Sequence, residues 1–182
     1  LSTNSVGFPP PVLPSGTLSI TVDNDIILAG DGVEVRADTS GQGNAGNIIV
    51  NTGSLFVRDG ANLSAGTFGE GRGGSIIIRA EDIISFSGVS REFVPSSATV
   101  ATVAEGDSGS IFLTTSVLSV TDGAQISADA LFVFPDIPSV GDAGDIVIDT
   151  DQILLEGVSE TLSSSGIFTT SQPGASGNSG SI

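Results

Sequence analysis

The sequence contains no cysteine, histidine, methionine, tryptophan, tyrosine or lysine. Without cysteine there is no disulfide, no thiolate metal site and no thiol nucleophile. Without histidine the chain lacks the usual proton shuttle of neutral pH, and a Ser-His-Asp triad is excluded. A phosphate-binding P-loop is excluded as well, because it needs a lysine. We therefore expect a protein that is not an enzyme.

Positive charge is also scarce. Five arginines oppose 21 acidic residues, which gives a formal net charge of −16, and twelve acids follow from Glu92 onward without any base. Such a surface repels the phosphates of nucleic acids and of anionic membranes. No run is long and apolar enough for a membrane span. We expect no nucleic-acid partner and no membrane insertion, and we interpret most of the acids as a solvated surface.

Glycine is abundant instead, with 25 residues in 182, and it recurs in one fixed phrase. GNAGNIIV at residues 43–50 returns as GRGGSIII, GDSGSIFL, GDAGDIVI and, at the end of the chain, GNSGSI. A phrase repeated at this spacing is typical of a solenoid. Coils are predicted to start near these glycines: Gly16, Gly46, Gly74, Gly109, Gly144 and Gly180.

Apolar residues follow each of these glycines at fixed offsets. Ile48, Ile76, Ile111 and Ile146 lie two residues on, and Val50, Ile78, Leu113 and Ile148 lie four residues on. Alternate residues of a strand face the same way, so stacked coils would form two inward ladders. A second and a third short strand are predicted in each coil, separated by a glycine turn such as Asp59-Gly60. The pattern predicts an all-β protein, a parallel β-helix of about five to six coils.

The remaining segments vary between repeats. Residues 1–15 are rich in proline and are predicted to be an extended segment that leads into the coils, or a cap. Residues 16–182 hold the coils, with insertions at residues 89–97 and 131–139 and a lengthened fifth coil around residues 156–173. The chain starts without methionine and stops in mid-repeat, which we interpret as a fragment of a longer rod.

The residues between the two inward ladders are mostly apolar too. Ile49, Ile77, Phe112 and Val147 form this outward stripe, which alternation places on the outer face of the strand. A strand that is apolar on both faces is expected to be covered on both. Either the Phe/Pro-rich segments GFPPPVLP, REFVP and LFVFPDIP cover the stripe, or a partner does.

The densest group of carboxylates lies in GDAGDIVIDTDQ. Asp142, Asp145, Asp149 and Asp151 are candidate ligands for a weak calcium site, since calcium prefers carboxylate oxygens. Paired carboxylates also occur in glycoside hydrolases, but no base lies in this half of the chain to assist them. We expect a solvated acidic face, no catalytic residues, and no cofactor other than weakly bound calcium.

The combination of GxxGxI, a strand and DGAxIxA resembles the internal repeats of filamentous haemagglutinin-like exoproteins of Gram-negative bacteria, the cyanobacterial members above all. Residues 43–88 and 106–128 carry it most clearly, and the likeness extends over nearly all of residues 16–182. The NPNL- and NPNG-type motifs of the family's secretion domain do not occur.

This resemblance implies a right-handed parallel β-helix, a rod segment of an adhesin exported by two-partner secretion. It implies a location outside the cell or on the outer surface of a Gram-negative bacterium and an outer-membrane transporter as partner during export. It also implies adhesion to a host or neighbouring cell surface, with carbohydrate as a candidate ligand. The alternative is a polysaccharide-binding or polysaccharide-active β-helix that resembles pectate lyases.

Overall fold

The computed structural model describes residues 1–3, 15–103, 105–131, 141–159, 163–171 and 177–182. These residues form ten β-strands and no helix, so the prediction of an all-β protein is confirmed. The bounds are β1 Leu18–Ala29, β2 Glu34–Arg36, β3 Ile48–Arg58, β4 Asn62–Ser64, β5 Ile76–Ser87, β6 Ser97–Thr102, β7 Ile111–Thr121, β8 Gln125–Ala130, β9 Ile146–Glu156 and β10 Gly166–Phe168.

The strands form two parallel sheets of five. The first sheet has the order β1-β3-β5-β7-β9 and the second β2-β4-β6-β8-β10. Each repeat therefore gives one long strand to the first sheet and one short strand to the second, and every strand pairs with its equivalent in the neighbouring repeat. In the described residues no helix has the length and hydrophobicity of a membrane span.

The first two predicted strands of each repeat are one long strand, which corrects the expectation of three. In the second repeat the ladder between β3 and β5 continues past a register shift between Thr52 and Ser54. The hydroxyl of Thr52 donates to the main-chain oxygens of Asn24 (2.6 Å) and Ser54 (3.1 Å). Because this side chain satisfies the carbonyls at the bend, the chain turns without leaving the sheet.

The two inward ladders are confirmed. Ile48, Ile76, Ile111 and Ile146 pair in register, and each side chain is at most 1% exposed. Val50, Ile78 and Leu113 lie beside them and are equally buried, whereas Ile148 on the edge strand is partly buried. The core continues into the second sheet through small and medium side chains, which are Val35, Leu63, Ala98, Val100 and Ile126.

The glycine at the end of each long strand has the predicted left-handed conformation. Gly30, Gly60, Gly88, Gly123 and Gly157 all have φ between 76° and 106°. In the second and fourth repeats the preceding aspartate shares it, with φ of 58° at Asp59 and 55° at Asp122. Aspartate tolerates this region better than most side chains, which explains the Asp-Gly pairs in the sequence.

Only part of the proline-rich segment is described. Leu1–Thr3 lie along β2, where the N–H of Thr3 donates to the carbonyl of Arg36 (2.9 Å) and the N–H of Arg36 to the carbonyl of Leu1 (3.0 Å). These residues extend the second sheet beyond its first short strand. Residues 4–14 and residues 132–140, which hold most of the GFPPPVLP and LFVFPDIP segments, lie outside the described part of the chain.

Candidate functional site

The GxxGx phrase forms a corner that precedes β3, β5, β7 and β9 and recurs near the end of the chain; we call it the glycine corner, at residues 43–47, 71–75, 106–110, 141–145 and 177–181. The fourth residue is always glycine. A Cβ on Gly74 would collide with the carbonyl oxygen of Gly46, and one on Gly109 with that of Gly74. The same collision would occur at Gly144 and Gly180. Glycine is required because the main chains of successive repeats approach each other directly.

Polar side chains of the glycine corner join successive repeats. Asn44 Oδ1 accepts a hydrogen bond from the N–H of Arg72 (3.0 Å), and Asn47 Oδ1 accepts one from the N–H of Ser75 (2.8 Å). Two repeats later Asp107 Oδ1 accepts from the N–H of Asp142 (3.2 Å). In each pair the side chain belongs to the earlier repeat and the N–H to the later one. In these repeats the corner therefore presents the later repeat with acceptors for its main-chain donors.

Two of the four calcium candidates take part in this stacking. Asp142 Oδ1 accepts from the N–H of Asn178 (2.6 Å), and Asp145 Oδ1 accepts from the N–H and the hydroxyl of Ser181 (2.8 Å each). The two bonds from Ser181 favour the ionised form of Asp145, and they hold the pKa of this carboxyl below its ordinary value. Both side chains thus have a structural role that the sequence reading did not foresee.

The other two candidates, Asp149 and Asp151, are exposed on β9. Within the described residues no three side chains of His, Cys, Asp or Glu are placed to hold a metal ion together. The second half of the chain is strongly acidic, because twelve acidic residues and no base follow from Glu92 onward. Weak calcium binding by the four aspartates stays a prediction.

The outward stripe becomes more exposed along the sheet. Ile49 and Ile77 are half-buried, while Phe112 is 39% and Val147 50% exposed. Of the three segments proposed as cover, only REFVP is described. The segment REFVP comes after the C-terminal end of β5, whereas Ile77 lies at the N-terminal end of that strand. Its Phe93 and Val94 are themselves 60% and 47% exposed. On the outer face of β7 and β9, Phe112 and Val147 therefore form an exposed apolar pair in the described part of the molecule, next to the polar pair Thr114 and Asp149.

Two insertions at the end of the long strands are closed in the same way at their described ends, which the sequence reading missed. Residues 88–96, GVSREFVPS, and residues 157–165, GVSETLSSS, begin with the same three letters and have the same length. We call them the first and second corner hairpins. Val89 bridges Pro95 and Val158 bridges Ser164, both antiparallel. The signal in the sequence was the repeated triplet Gly-Val-Ser, which begins at Gly88 and again at Gly157.

Each corner hairpin clamps the Asp-Gly turn of the repeat before it. The last serine of the first hairpin, Ser96, accepts from the N–H of Gly60 (2.9 Å) and donates to the carbonyl of Ser87 (2.7 Å). In the second hairpin Ser165 accepts from the N–H of Gly123 (2.9 Å) and donates to the carbonyl of Glu156 (2.8 Å). The N–H of Arg91 also reaches back to Asp31 Oδ1 (3.2 Å). From the second repeat to the fifth, tight turns and hairpins therefore alternate along this corner.

The chain matches no known protein-family model, no curated protein and no solved structure.

Proposed function

We propose that this chain is a right-handed parallel β-helix of five to six coils and serves as a rod segment of a secreted, adhesin-like exoprotein. The observation that carries the proposal is the register of the two sheets. Leu18, Ile48, Ile76, Ile111 and Ile146 pair one repeat after another, and the short strands of the second sheet do the same. Repeats that contact only their neighbours build an elongated body.

The last repeats of the stack support the rod. At the last glycine corner the N–H of Ile146 donates to the carbonyl of Ser181 (2.9 Å), so a sixth repeat begins on the fifth. On β9 Ile153 and Leu155 are 50% and 51% exposed, although their partners on β7, Leu118 and Val120, are fully buried. A further coil stacked on β9 would bury both side chains and pair its free edge.

The apolar face of Phe112 and Val147 is the contact surface in this proposal. The partner of this surface is a host or neighbouring cell surface, with carbohydrate as the candidate ligand. The protein itself is located outside a Gram-negative bacterium of cyanobacterial type. The full-length protein would reach this location through an outer-membrane transporter. Exposed apolar patches of this kind are common in interaction sites, and the acidic surface around them favours a partner that is not a polyanion.

Two measurements test the proposal. Circular dichroism should give a β spectrum, and a helical spectrum would refute the β-helix. Beads coated with the protein should adhere to bacterial and host cells more than uncoated beads. Adhesion should fall in the Phe112→Ser/Val147→Ser variant and persist in the matched Phe93→Ser variant, which changes an exposed residue elsewhere.

An activity screen separates the rod from a polysaccharide-active β-helix. We expect no turnover of pectin, alginate or neutral glucans, because the chain has no histidine or lysine and no base after Arg91. Turnover that disappears in Asp145→Asn or Asp149→Asn would replace the rod proposal with an enzyme that uses these carboxylates.

A further inference from the structure

The chain contains three Asp-Gly dipeptides, at Asp31-Gly32, Asp59-Gly60 and Asp122-Gly123, and each lies between a long and a short strand. In such a pair the glycine nitrogen can attack the side-chain carbonyl carbon of the aspartate. The new C–N bond closes a five-membered succinimide, and the carboxyl oxygen leaves with two protons as water. Glycine allows this attack more readily than other residues because no Cβ hinders the approach.

Water then opens the succinimide at either of its two carbonyl carbons. Attack at one carbon restores aspartate, and attack at the other gives isoaspartate, in which the main chain runs through the side-chain methylene. The water consumed equals the water released, so the mass is unchanged. In a stack of repeats the longer main chain would displace the turn against its neighbours.

Two of the three glycine nitrogens are held in place by the corner hairpins. The N–H of Gly60 is bound by Ser96 and the N–H of Gly123 by Ser165, each at 2.9 Å. Each serine hydroxyl is itself fixed, because it donates to a carbonyl at the end of the long strand of its own repeat. The nitrogen must give up this hydrogen bond before it can lose its proton and attack.

The hairpins also enclose these two turns. A Cβ placed on Gly60 would collide with the Cβ of Ser90, and one on Gly123 would lie 2.8 Å from the Cβ of Ser159. Both glycines are buried. The closure of a ring at either turn would therefore need the neighbouring repeat to move.

The turn of the first repeat is open. Asp31 and Gly32 are both exposed, and no atom lies within 4 Å of a Cβ placed on Gly32. Asp31 Oδ1 accepts from the N–H of Arg91 at 3.2 Å, but in the described residues no acceptor binds the N–H of Gly32. The reacting nitrogen is thus free at this turn, whereas it is bound at the other two.

We propose that Asp31 is the selective site of isoaspartate formation in the folded protein, and that Ser96 and Ser165 protect Asp59 and Asp122 from the same reaction. In the sequence the three Asp-Gly dipeptides are identical. In the structure the corner hairpins bind and enclose the second and third dipeptides but not the first.

The test is incubation of the native protein at mildly acidic pH, below its unfolding temperature, followed by tryptic mapping. The arginines place the three dipeptides in three separate peptides, residues 1–36, 59–72 and 92–182. Fragmentation that distinguishes isoaspartate from aspartate locates the product. We expect isoaspartate in the first peptide, its loss in Asp31→Glu, and similar rates at all three dipeptides in urea-unfolded protein.

Variants of the two serines separate protection from mere burial. Ser96→Ala should raise isoaspartate at Asp59 by about fivefold, the factor that corresponds to the ~1 kcal/mol of one hydrogen bond, and leave Asp122 unchanged. Ser165→Ala should do the reverse, and Ser96→Thr, which keeps the hydroxyl, should stay near the native rate. Native rates at Asp59 and Asp122 equal to that at Asp31 would overturn the proposal. An unchanged rate at Asp59 in a folded Ser96→Ala protein would overturn the role of the serine.

Discussion

Truncation of Ile76 to alanine tests the inward ladder of the first sheet. Ile76 lies on β5, the central strand, with Ile48 and Ile111 paired on either side, and it is fully buried. The change removes three carbons, which at ~0.8 kcal/mol for each buried methylene lowers the free energy of unfolding by about 2.4 kcal/mol. The cavity adds to this loss, because β3 and β7 hold their own ladders and cannot close the gap. Such changes cost ~2–5 kcal/mol in total.

Two isoleucines of the same chain provide matched controls. Ile77 is the next residue on β5 but faces outward and is half-buried, so Ile77→Ala should cost about 1 kcal/mol. Ile182 is 69% exposed at the last repeat, and Ile182→Ala should cost roughly 0.5 kcal/mol or less. The three variants remove the same atoms from three different environments.

The assay is urea unfolding followed by far-ultraviolet circular dichroism, since the chain has no tryptophan or tyrosine to report by fluorescence. With a typical urea dependence of ~1–3 kcal/mol per molar, Ile76→Ala should lower the midpoint by about 1 M or more. Equal shifts for Ile76→Ala and Ile77→Ala would mean that β5 does not turn Ile76 inward. A shift for Ile182→Ala as large as that for Ile76→Ala would refute the claim that the ladder is anchored by neighbours on both sides.

Three further predictions concern the glycine corner and the acidic half. Gly109→Ala should cost about 3 kcal/mol or more, since its Cβ would collide with the Gly74 carbonyl, whereas Gly16→Ala, with Thr3 at 3.8 Å as its nearest contact, should be nearly neutral in thermal unfolding. Millimolar calcium should raise the melting temperature more than sodium at equal ionic strength, because twelve acids without a base repel one another; equal effects would exclude the calcium site. The pKa of Asp145 is lowered by Ser181, so its stabilising contribution is present above the ordinary carboxyl pKa and is lost as the pH falls through the lower, folded value. The protection of the Ser181 amide, measured as its exchange rate relative to the intrinsic rate at the same pH, should therefore fall at low pH, and an identical pH profile in Asp145→Asn would contradict this.

The features that recur at a fixed distance from a glycine could be predicted from the sequence. The inward ladders and the left-handed glycines at Gly60 and Gly123 are of this kind. Stacking places equivalent residues of successive repeats next to each other, so a position that is apolar in every repeat is buried by its own copies. The spacing of apolar residues along the sequence therefore predicts which side chains are buried in the structure.

The features that depend on a main-chain partner could not be predicted. Asp142 and Asp145 read as metal ligands because carboxylates are visible in the sequence, while the N–H groups of Asn178 and Ser181 that they bind are common to all residues. The bend within the long strand β3 also depends on main-chain partners. The hydroxyl of Thr52 donates to two carbonyls at this bend, and only the pairing of β3 with β5 shows that the ladder continues past it.

The corner hairpins show that the structural unit of this corner is a pair of repeats. From the second repeat to the fifth, Asp-Gly turns in the second and fourth repeats alternate with hairpins in the third and fifth, and the open Asp31-Gly32 turn of the first repeat lies outside these pairs. The turn needs glycine at its second position for φ, and the hairpin needs it again, because Ser90 and Ser159 pack where a Cβ would lie. The hairpin in turn needs the turn below it, since the hydroxyls of Ser96 and Ser165 bind its N–H groups. Within the second to fifth repeats each member of the pair supplies what the other lacks, so insertion or deletion of a single repeat there would break the pairing of hairpin and turn, whereas a change by two repeats would preserve it.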